Sequence, residues 1–246
     1  MSNIVKISLF YQKILDSFFS VLFDFAVFLK TPFSIQRHLL PDFQYHKRPV
    51  LFVKLSSIKF VDFNRFNKKR IRFFWPGDWD TETLDLNSYY QQNAKYRAMI
   101  NIFSKNQEYF ETEFYDERKK RLLRKNLRED DINKQLEEYF NKSILNFDKI
   151  KKNGFKSQEE LGLKYKYRAI DEIGICIDSN GQLIKTRGGK HRFPFAAVLG
   201  LEIIPVVVHG IHPDFALKLF NESKSKNLKI VLNEYFSKLN EKKDKL

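Results

Sequence analysis

The stretch IGICIDSNGQLIKTRGGKHRFPFAAVLGLEIIPVVV, residues 173–208, decides the fold of this chain. Ile173–Ile177 is an isoleucine-rich run, and an Asp-Ser-Asn-Gly turn separates it from Leu183–Lys185, so the two segments predict a β-hairpin. A helix is predicted over Arg192–Gly200, with the glycine as its C-terminal stop. Ile203–Val208 is too apolar for a half-exposed strand and therefore predicts a buried one.

The five residues between the hairpin and this helix carry groups that bind anions. Two glycines allow a close approach of the backbone to a ligand, and the free N–H groups and positive dipole end of the helix point at the loop. A lysine, a histidine and an arginine add donors suited to phosphate oxygens. A tight turn with a solvated basic triplet is the alternative, but the ordered hairpin, loop, helix and buried strand favour a phosphate site. The predicted phosphate-binding residues are Gly188, Gly189, Lys190, His191 and Arg192.

The segment GGKHRFPFAAVLGLEIIPVVV resembles the signature of the ParB/sulfiredoxin superfamily, in which a glycine-led loop with an arginine opens a helix that leads into a strand. The clear match covers Ile173–Val208. Leu145–Leu161 resembles the helix before the hairpin, Val50–Asp62 would supply the opening strand, and residues 82–144 would be a helical insertion. The resemblance implies an α+β fold with a small mixed sheet. It also implies that the phosphates of ATP or another nucleotide bind the loop through Gly188, Gly189, His191 and Arg192.

Departures from the family pattern narrow the function. Sulfiredoxins carry a nucleophilic cysteine where this chain has Lys190, and lysine cannot replace thiolate chemistry, so that activity is not expected. Partition proteins continue with a helix-turn-helix domain, and the residues after Val208 show no such pattern, so DNA is the less favoured partner. The layout of the chain also resembles uncharacterised ParB-like proteins associated with surface-polysaccharide genes, which implies a role in surface-polysaccharide biosynthesis.

Two pairs of acidic residues could complete a phosphoryl-transfer site. Asp78 and Asp80 stand one residue apart after a Pro-Gly turn, where close carboxylates suit Mg²⁺ or a hydroxyl substrate, and Asp78 is also a candidate catalytic residue. Asp171 and Glu172 enter the hairpin, and either could be the general base for an acceptor hydroxyl. Solvated aspartates in a turn and a charged strand edge are the alternative interpretations of these pairs.

The pattern from about residue 86 to residue 145 is helical and highly charged. There, Arg97 could bind an anionic substrate or form a surface ion pair, and Glu113 is a weaker substrate-binding candidate. The sequence therefore predicts a nucleotide-dependent phosphotransferase, or kinase, for a small hydroxyl or sugar-like substrate, with Asp80, Arg97 and Glu113 binding that substrate. The alternative is a non-catalytic or NTPase-type module that binds nucleotide or DNA in the manner of ParB.

Composition sets the broader limits. The chain has 246 residues, a net charge of +14 and a hydrophobic fraction of 43%, which is enough for a packed core. Its positive charge is spread along the chain and favours phosphate-bearing partners, without the basic and aromatic block of a dedicated nucleic-acid face. Cys176 is the single cysteine, which excludes a disulfide framework and a cysteine-rich zinc site and predicts the reducing cytoplasm.

The N-terminal region requires a separate interpretation. Residues 14–29 are strongly apolar, but they are too few to cross a hydrocarbon core and contain two aspartates. They predict a helix that packs under the domain or, alternatively, lies peripherally at the inner face of the membrane. The predicted organisation is an apolar helix and basic linker over 1–45, a nucleotide-binding domain over 46–212, and two amphipathic helices over 213–246.

Overall fold

The computed structural model describes residues 50–62, 78–81, 83–158, 160–161, 172–225 and 228–242. Its strands are β1 (Val50–Lys54), β2 (Ile58–Val61), β3 (Leu84–Asp85), β4 (Ile173–Ile177), β5 (Leu183–Lys185) and β6 (Ile203–Ile211). Its helices are α1 (Leu86–Gln92), α2 (Ala94–Lys105), α3 (Glu113–Leu123), α4 (Glu129–Asn153), α5 (Arg192–Val198), α6 (Pro213–Glu222) and α7 (Leu228–Lys242). Short 3-10 turns occupy Leu55–Ser57, Trp79–Thr81 and Tyr109–Glu111.

The six described strands form one mixed sheet in the order β1-β6-β4-β5-β2-β3. β4 is antiparallel to β5, as the predicted hairpin requires, and parallel to β6. β2 runs parallel to β5, while β1 and β3 pair antiparallel with β6 and β2 at the two edges. Together with seven α-helices among the described residues, this sheet confirms the predicted α+β class.

The segment Val50–Asp62 supplies two strands rather than the single opening strand that was predicted. The 3-10 turn Leu55–Ser57 separates them, and the Ser57 hydroxyl donates to the Lys54 carbonyl oxygen at 2.6 Å. β1 then pairs with β6, whereas β2 pairs with β5 on the other side of the hairpin. The pattern of buried apolar residues continues on both sides of the turn, so it indicates strand throughout and does not reveal the break.

β4 is buried on both faces, which explains its continuous apolar sequence. Ile173, Ile175 and Ile177 face the main core, while Cys176 packs on the other face with Trp79 and Ile184. The two C-terminal helices that were predicted are present as α6 and α7. They cover the main core with Phe215, Leu219, Phe220, Val231, Leu232 and Phe236.

The predicted helical region is confirmed as α1 to α4, and α2, α3 and α4 build a second core. The apolar residues of that core are Ala98, Met99, Phe114, Leu122, Ile132, Leu136, Phe140 and Phe147, together with Phe195 of α5. The Phe195 ring centroid lies 5.0 Å from that of Phe103 and 5.4 Å from that of Phe147. These contacts hold the helical region over α5, the helix that begins at the predicted anion-binding loop.

Predictions for the N-terminal region lie outside the described residues. These are the apolar helix over 14–29, the unit over 1–45 and the membrane contact attributed to it. Within the part of the chain that the structure describes, no helix is both long enough and apolar enough to cross a membrane.

Candidate functional site

The Gly-Gly loop connects β5 to α5 with the predicted local geometry. Gly188 and Gly189 have φ angles of 92° and 57°, which L side chains rarely adopt. A Cβ on Gly189 would also lie 2.6 Å from Ile173 Cγ1 and 2.8 Å from Ile173 Cα. The Phe193 amide donates to the Gly189 carbonyl oxygen at 2.9 Å, so the loop leads directly into the helix. Glycine is therefore required where the loop packs against the first residue of β4.

A buried lysine supports this loop from beneath. The Lys185 ammonium donates to the carbonyl oxygens of Thr186 at 2.7 Å and Gly188 at 2.8 Å. Burial lowers the pKa of Lys185 to about 7, and the nearby charge of Lys190 acts in the same direction. Lys185 was not among the predicted site residues, because a lysine at the end of a strand has no distinguishing pattern in the sequence.

Lys190 and His191 of the loop line a cavity of about 590 Å³, whereas Gly188 and Gly189 are not part of its lining. Most of the other walls come from α1 to α4. Five basic residues line it against one acidic residue, and six aromatic side chains form much of the remaining wall. The basic residues are Lys95, Arg118, Arg121, Lys185 and Lys190, the acidic residue is Glu117, and the aromatic residues are Tyr89, Tyr90, Tyr96, Phe114, Tyr139 and Phe193. This charge balance and volume suit a small anionic ligand with an apolar or aromatic part.

His191, which was predicted to bind phosphate, lies in the cavity wall, but its ring nitrogen Nε2 faces two donors. The Lys95 Nζ is 2.8 Å away and the Tyr139 hydroxyl oxygen is 3.0 Å away. We therefore assign Nε2 as the acceptor and place the ring proton on Nδ1, which faces the Ser143 hydroxyl at 3.5 Å. Burial, followed by the charges of Lys95 and Arg118, lowers the pKa of His191 to about 3. The imidazole is thus neutral and orients Lys95 and Tyr139.

Lys95 is the lysine that links the loop to the helical wall. Its Nζ lies 5.8 Å from the ring centroids of Phe114 and Tyr139. Burial, followed by the charges of Lys190 and Arg118, lowers the pKa of Lys95 to about 7. A bound anion would relieve this repulsion, because it would favour the charged form of the amine.

Arg192 and Glu172, predicted as phosphate ligand and general base, contact each other instead. Arg192 Nη2 lies 3.4 Å from Glu172 Oε2, and its guanidinium carbon lies 4.4 Å from the Phe155 ring centroid. Glu172 is completely buried and also accepts a hydrogen bond from the Gln158 amide. Neither side chain lines the cavity, so this pair holds the loop end of β4 in place. Asp171 lies outside the described residues.

Asp78 and Asp80 lie at the opposite end of β4 from the loop. Asp80 Oδ2 accepts hydrogen bonds from the Ser179 amide at 2.9 Å and the Ser179 hydroxyl at 2.6 Å. Burial acts to raise the pKa of Asp80, but the hydrogen bonds from Ser179 outweigh it, so the pKa is lowered. Five residues of strand at about 3.3 Å each separate this turn from the loop, a distance of roughly 16 Å. The structure does not bring the two predicted clusters together, and among the described residues no group of three or more His, Cys, Asp or Glu could hold a metal.

Arg97 and Glu113, predicted to bind substrate, form an ion pair with each other. Arg97 also donates to the Gln91 carbonyl oxygen, and neither side chain lines the cavity. The surface ion pair that was the alternative for Arg97 is therefore confirmed.

The cavity residues on α3 were not predicted, although the sequence holds a signal for them. Phe114, Arg118 and Arg121 are spaced four and three residues apart, so they share one face of the helix. This spacing places two arginines beside a buried phenylalanine, and that is the signal in the sequence for a cationic wall. Comparison of the chain with protein-family models, curated proteins and solved structures found no match in any of the three.

Proposed function

We propose that this protein is a nucleotide-dependent phosphotransferase whose nucleotide phosphates lie in the cavity beside Gly188–His191. The observation that supports it best is the cavity itself, which is lined by five basic side chains and one carboxylate. Lys190 and Lys95 are the cations that contact the phosphates, and the tyrosine wall offers a surface for a base. The succession of hairpin, glycine loop, helix and parallel strand also supports the ParB/sulfiredoxin-like fold as part of this proposal.

The transfer would move one phosphoryl group from the nucleotide to a small hydroxyl compound. The acceptor oxygen bonds to the terminal phosphorus, the bond from that phosphorus to the leaving diphosphate breaks, and the hydroxyl proton is taken up by a base. Glu117 is the carboxylate that lines the cavity, so it takes the role predicted for the buried Glu172. A cytoplasmic setting and a place in surface-polysaccharide biosynthesis belong to the same proposal.

The residues predicted to bind Mg²⁺ do not fit a metal beside these phosphates. Asp80 is hydrogen-bonded to Ser179 at the far end of β4, and the exposed Asp78 precedes it in the same turn. No step of the proposed transfer is therefore assigned to Mg²⁺ at these residues.

Binding of ATP to the full-length protein, measured by calorimetry, tests the phosphate site. Lys190→Gln should weaken ATP binding by about tenfold or more, since hydrogen bonds to charged groups contribute about 1.5–3 kcal/mol. Lys120→Gln, an exposed lysine of α3 outside the cavity lining, is the matched control and should bind ATP as the unmodified chain does. Asp80→Asn should also leave ATP affinity unchanged. Equal affinity of Lys190→Gln and Lys120→Gln would contradict the phosphate site.

A second candidate is a nucleotide-binding module without turnover. It is favoured by the positions of Asp80 and Glu172, which both lie away from the cavity. Release of ADP in the presence of small sugars and other hydroxyl compounds distinguishes the two functions. Glu117→Gln should abolish most of that release while ATP still binds, and ATP binding without release from the unmodified chain would favour the module.

A further inference from the structure

Helix α3 presents a second pair of cations to the cavity, apart from those of the loop. Arg118 and Arg121 lie one helical turn apart and both line the cavity. Among the described residues, no carboxylate forms an ion pair with either of them, although Glu117 stands beside them on the same helix. Two guanidinium groups on one face therefore lack a negative partner within the described protein.

Arg118 is held in a defined position. Its guanidinium carbon lies 3.6 Å from the centroid of the Tyr139 ring, and Tyr139 in turn contacts His191. The Arg118 Nε is buried and has no hydrogen-bond partner among the described residues. Arg118 is therefore a planar cation that stacks on a ring and is partly desolvated, and no carboxylate among the described residues pairs with it. Such a guanidinium group is suited to binding the oxygens of an anionic group.

The loop has cations of its own for nucleotide phosphates. Lys190 comes from the loop, and Lys95 is oriented by His191 next to it. The Lys185 ammonium is already engaged by two backbone carbonyls, so it shapes the loop rather than the ligand. The basic residues thus come from the loop with Lys95 beside it and from α3, and the two groups adjoin at the Tyr139 ring, which lies close to both Lys95 and Arg118. Glu117 lies on α3 next to the second group.

We infer that the acceptor carries an anionic group of its own, a phosphate or a carboxylate, which Arg118 and Arg121 bind. This inference rests on the proposed phosphotransferase function and names its substrate class as acidic hydroxyl compounds. Binding of that group next to Glu117 places the acceptor hydroxyl near the carboxylate that takes its proton. A neutral acceptor would leave the partly desolvated Arg118 without a counter-charge.

The test compares three hexoses: a neutral hexose, a hexose phosphate and a hexuronate. Their binding to the full-length protein is measured by calorimetry in the presence and absence of a non-hydrolysable ATP analogue. The two anionic sugars should bind about tenfold or more tightly than the neutral hexose, as expected for charge-assisted hydrogen bonds. Preference for only one of them identifies phosphate or carboxylate as the recognised group.

Three variants separate the subsite from its neighbours. Arg118→Gln combined with Arg121→Gln should remove the preference for anionic sugars and leave affinity for the ATP analogue unchanged, while Lys120→Gln should change neither. Because Arg118 packs on Tyr139, Arg121→Gln alone provides a second variant on an exposed side chain, with a smaller loss in the same direction. Thermal unfolding of each variant verifies that it is folded.

Two results would overturn the inference. One is a neutral hexose that binds as tightly as the anionic ones, and the other is an arginine variant that weakens the ATP analogue as much as the sugar. The second result would assign both arginines to the nucleotide. If the ATP analogue does not bind but the anionic sugars bind in an arginine-dependent way, the proposed phosphotransferase function fails and the anion subsite stands.

Discussion

The two ends of β4 differ in how their charged side chains are satisfied. At the turn end, Asp80 accepts two hydrogen bonds from Ser179, and these help to lower the pKa of its carboxyl group. At the loop end, the cations of the cavity wall face one another, and repulsion among them lowers the pKa of Lys95. Hydrogen bonds within the fold satisfy the charge of Asp80, whereas the repelling cations of the cavity wall are the groups that the proposed function assigns to a ligand.

The same contrast separates neighbours within the loop. Lys190 lines the cavity, whereas Arg192, two residues later, turns away to contact Glu172 and Phe155. One basic residue thus lines the cavity and the other contacts a buried carboxylate, although both belong to a single basic triplet in the sequence.

Arg192→Met gives the largest expected effect and tests this division directly. Loss of the guanidinium removes a buried ion-pair contact of Glu172, so the free energy of unfolding should fall by up to about 3–5 kcal/mol. Urea denaturation measures the loss, and the double variant Glu172→Gln/Arg192→Met should recover most of it. ATP affinity of the folded single variant should be unchanged. A stable Arg192→Met protein that no longer binds ATP would return Arg192 to the phosphate site.

A pair of glycine variants compares the two ends of β4 at matched backbone positions. Gly189 lies at the loop end with a φ of 57°, and Gly181 lies at the turn end with a φ of 84°. A Cβ would approach Ile173 Cγ1 to 2.6 Å at the first position and Phe215 Cε2 to 2.5 Å at the second. Each change to alanine should therefore lower the free energy of unfolding by about 1–3 kcal/mol, measured by urea denaturation. Only Gly189→Ala should also weaken ATP binding, and equal affinities in the two variants would remove the functional difference between the ends.

The pH dependence of anion binding gives the smallest effect. Sulfate is a suitable probe because its own charge is constant near neutral pH. With a Lys95 pKa of about 7, the protonated amine is present below neutral pH and is lost above it. Sulfate affinity should therefore fall by about tenfold between about pH 6 and about pH 8. Lys95→Arg keeps the charge and should flatten most of this slope, Lys185 accounting for the remainder. An unaltered slope in Lys95→Arg would show that another group titrates.

Local chemistry in the sequence predicted much of the fold around the site. The Asp-Ser-Asn-Gly turn specified the hairpin of β4 and β5, and Gly188 and Gly189 specified the loop that opens α5. The same reasoning failed across Val50–Asp62, because an apolar pattern that continues through a turn does not reveal the turn. Reasoning from residue types also placed Asp80 wrongly in one site with the loop. Residue types alone do not show which end of β4 a distant segment of the chain reaches.

By itself, the sequence determined the hairpin, the glycine-led loop and the helix that follows it, because turn residues, backbone freedom and helix stops act over a few neighbouring positions. Only the tertiary structure decided which charged side chains share a site. Lys95, Arg118 and Tyr139 reach the loop from helices some 50 to 100 residues earlier in the chain, held there by the packing of the second core around Phe195. Whether a charge is paired or left for a ligand depends on those long-range contacts, and so the division between Arg192 and Lys190 arises only on folding.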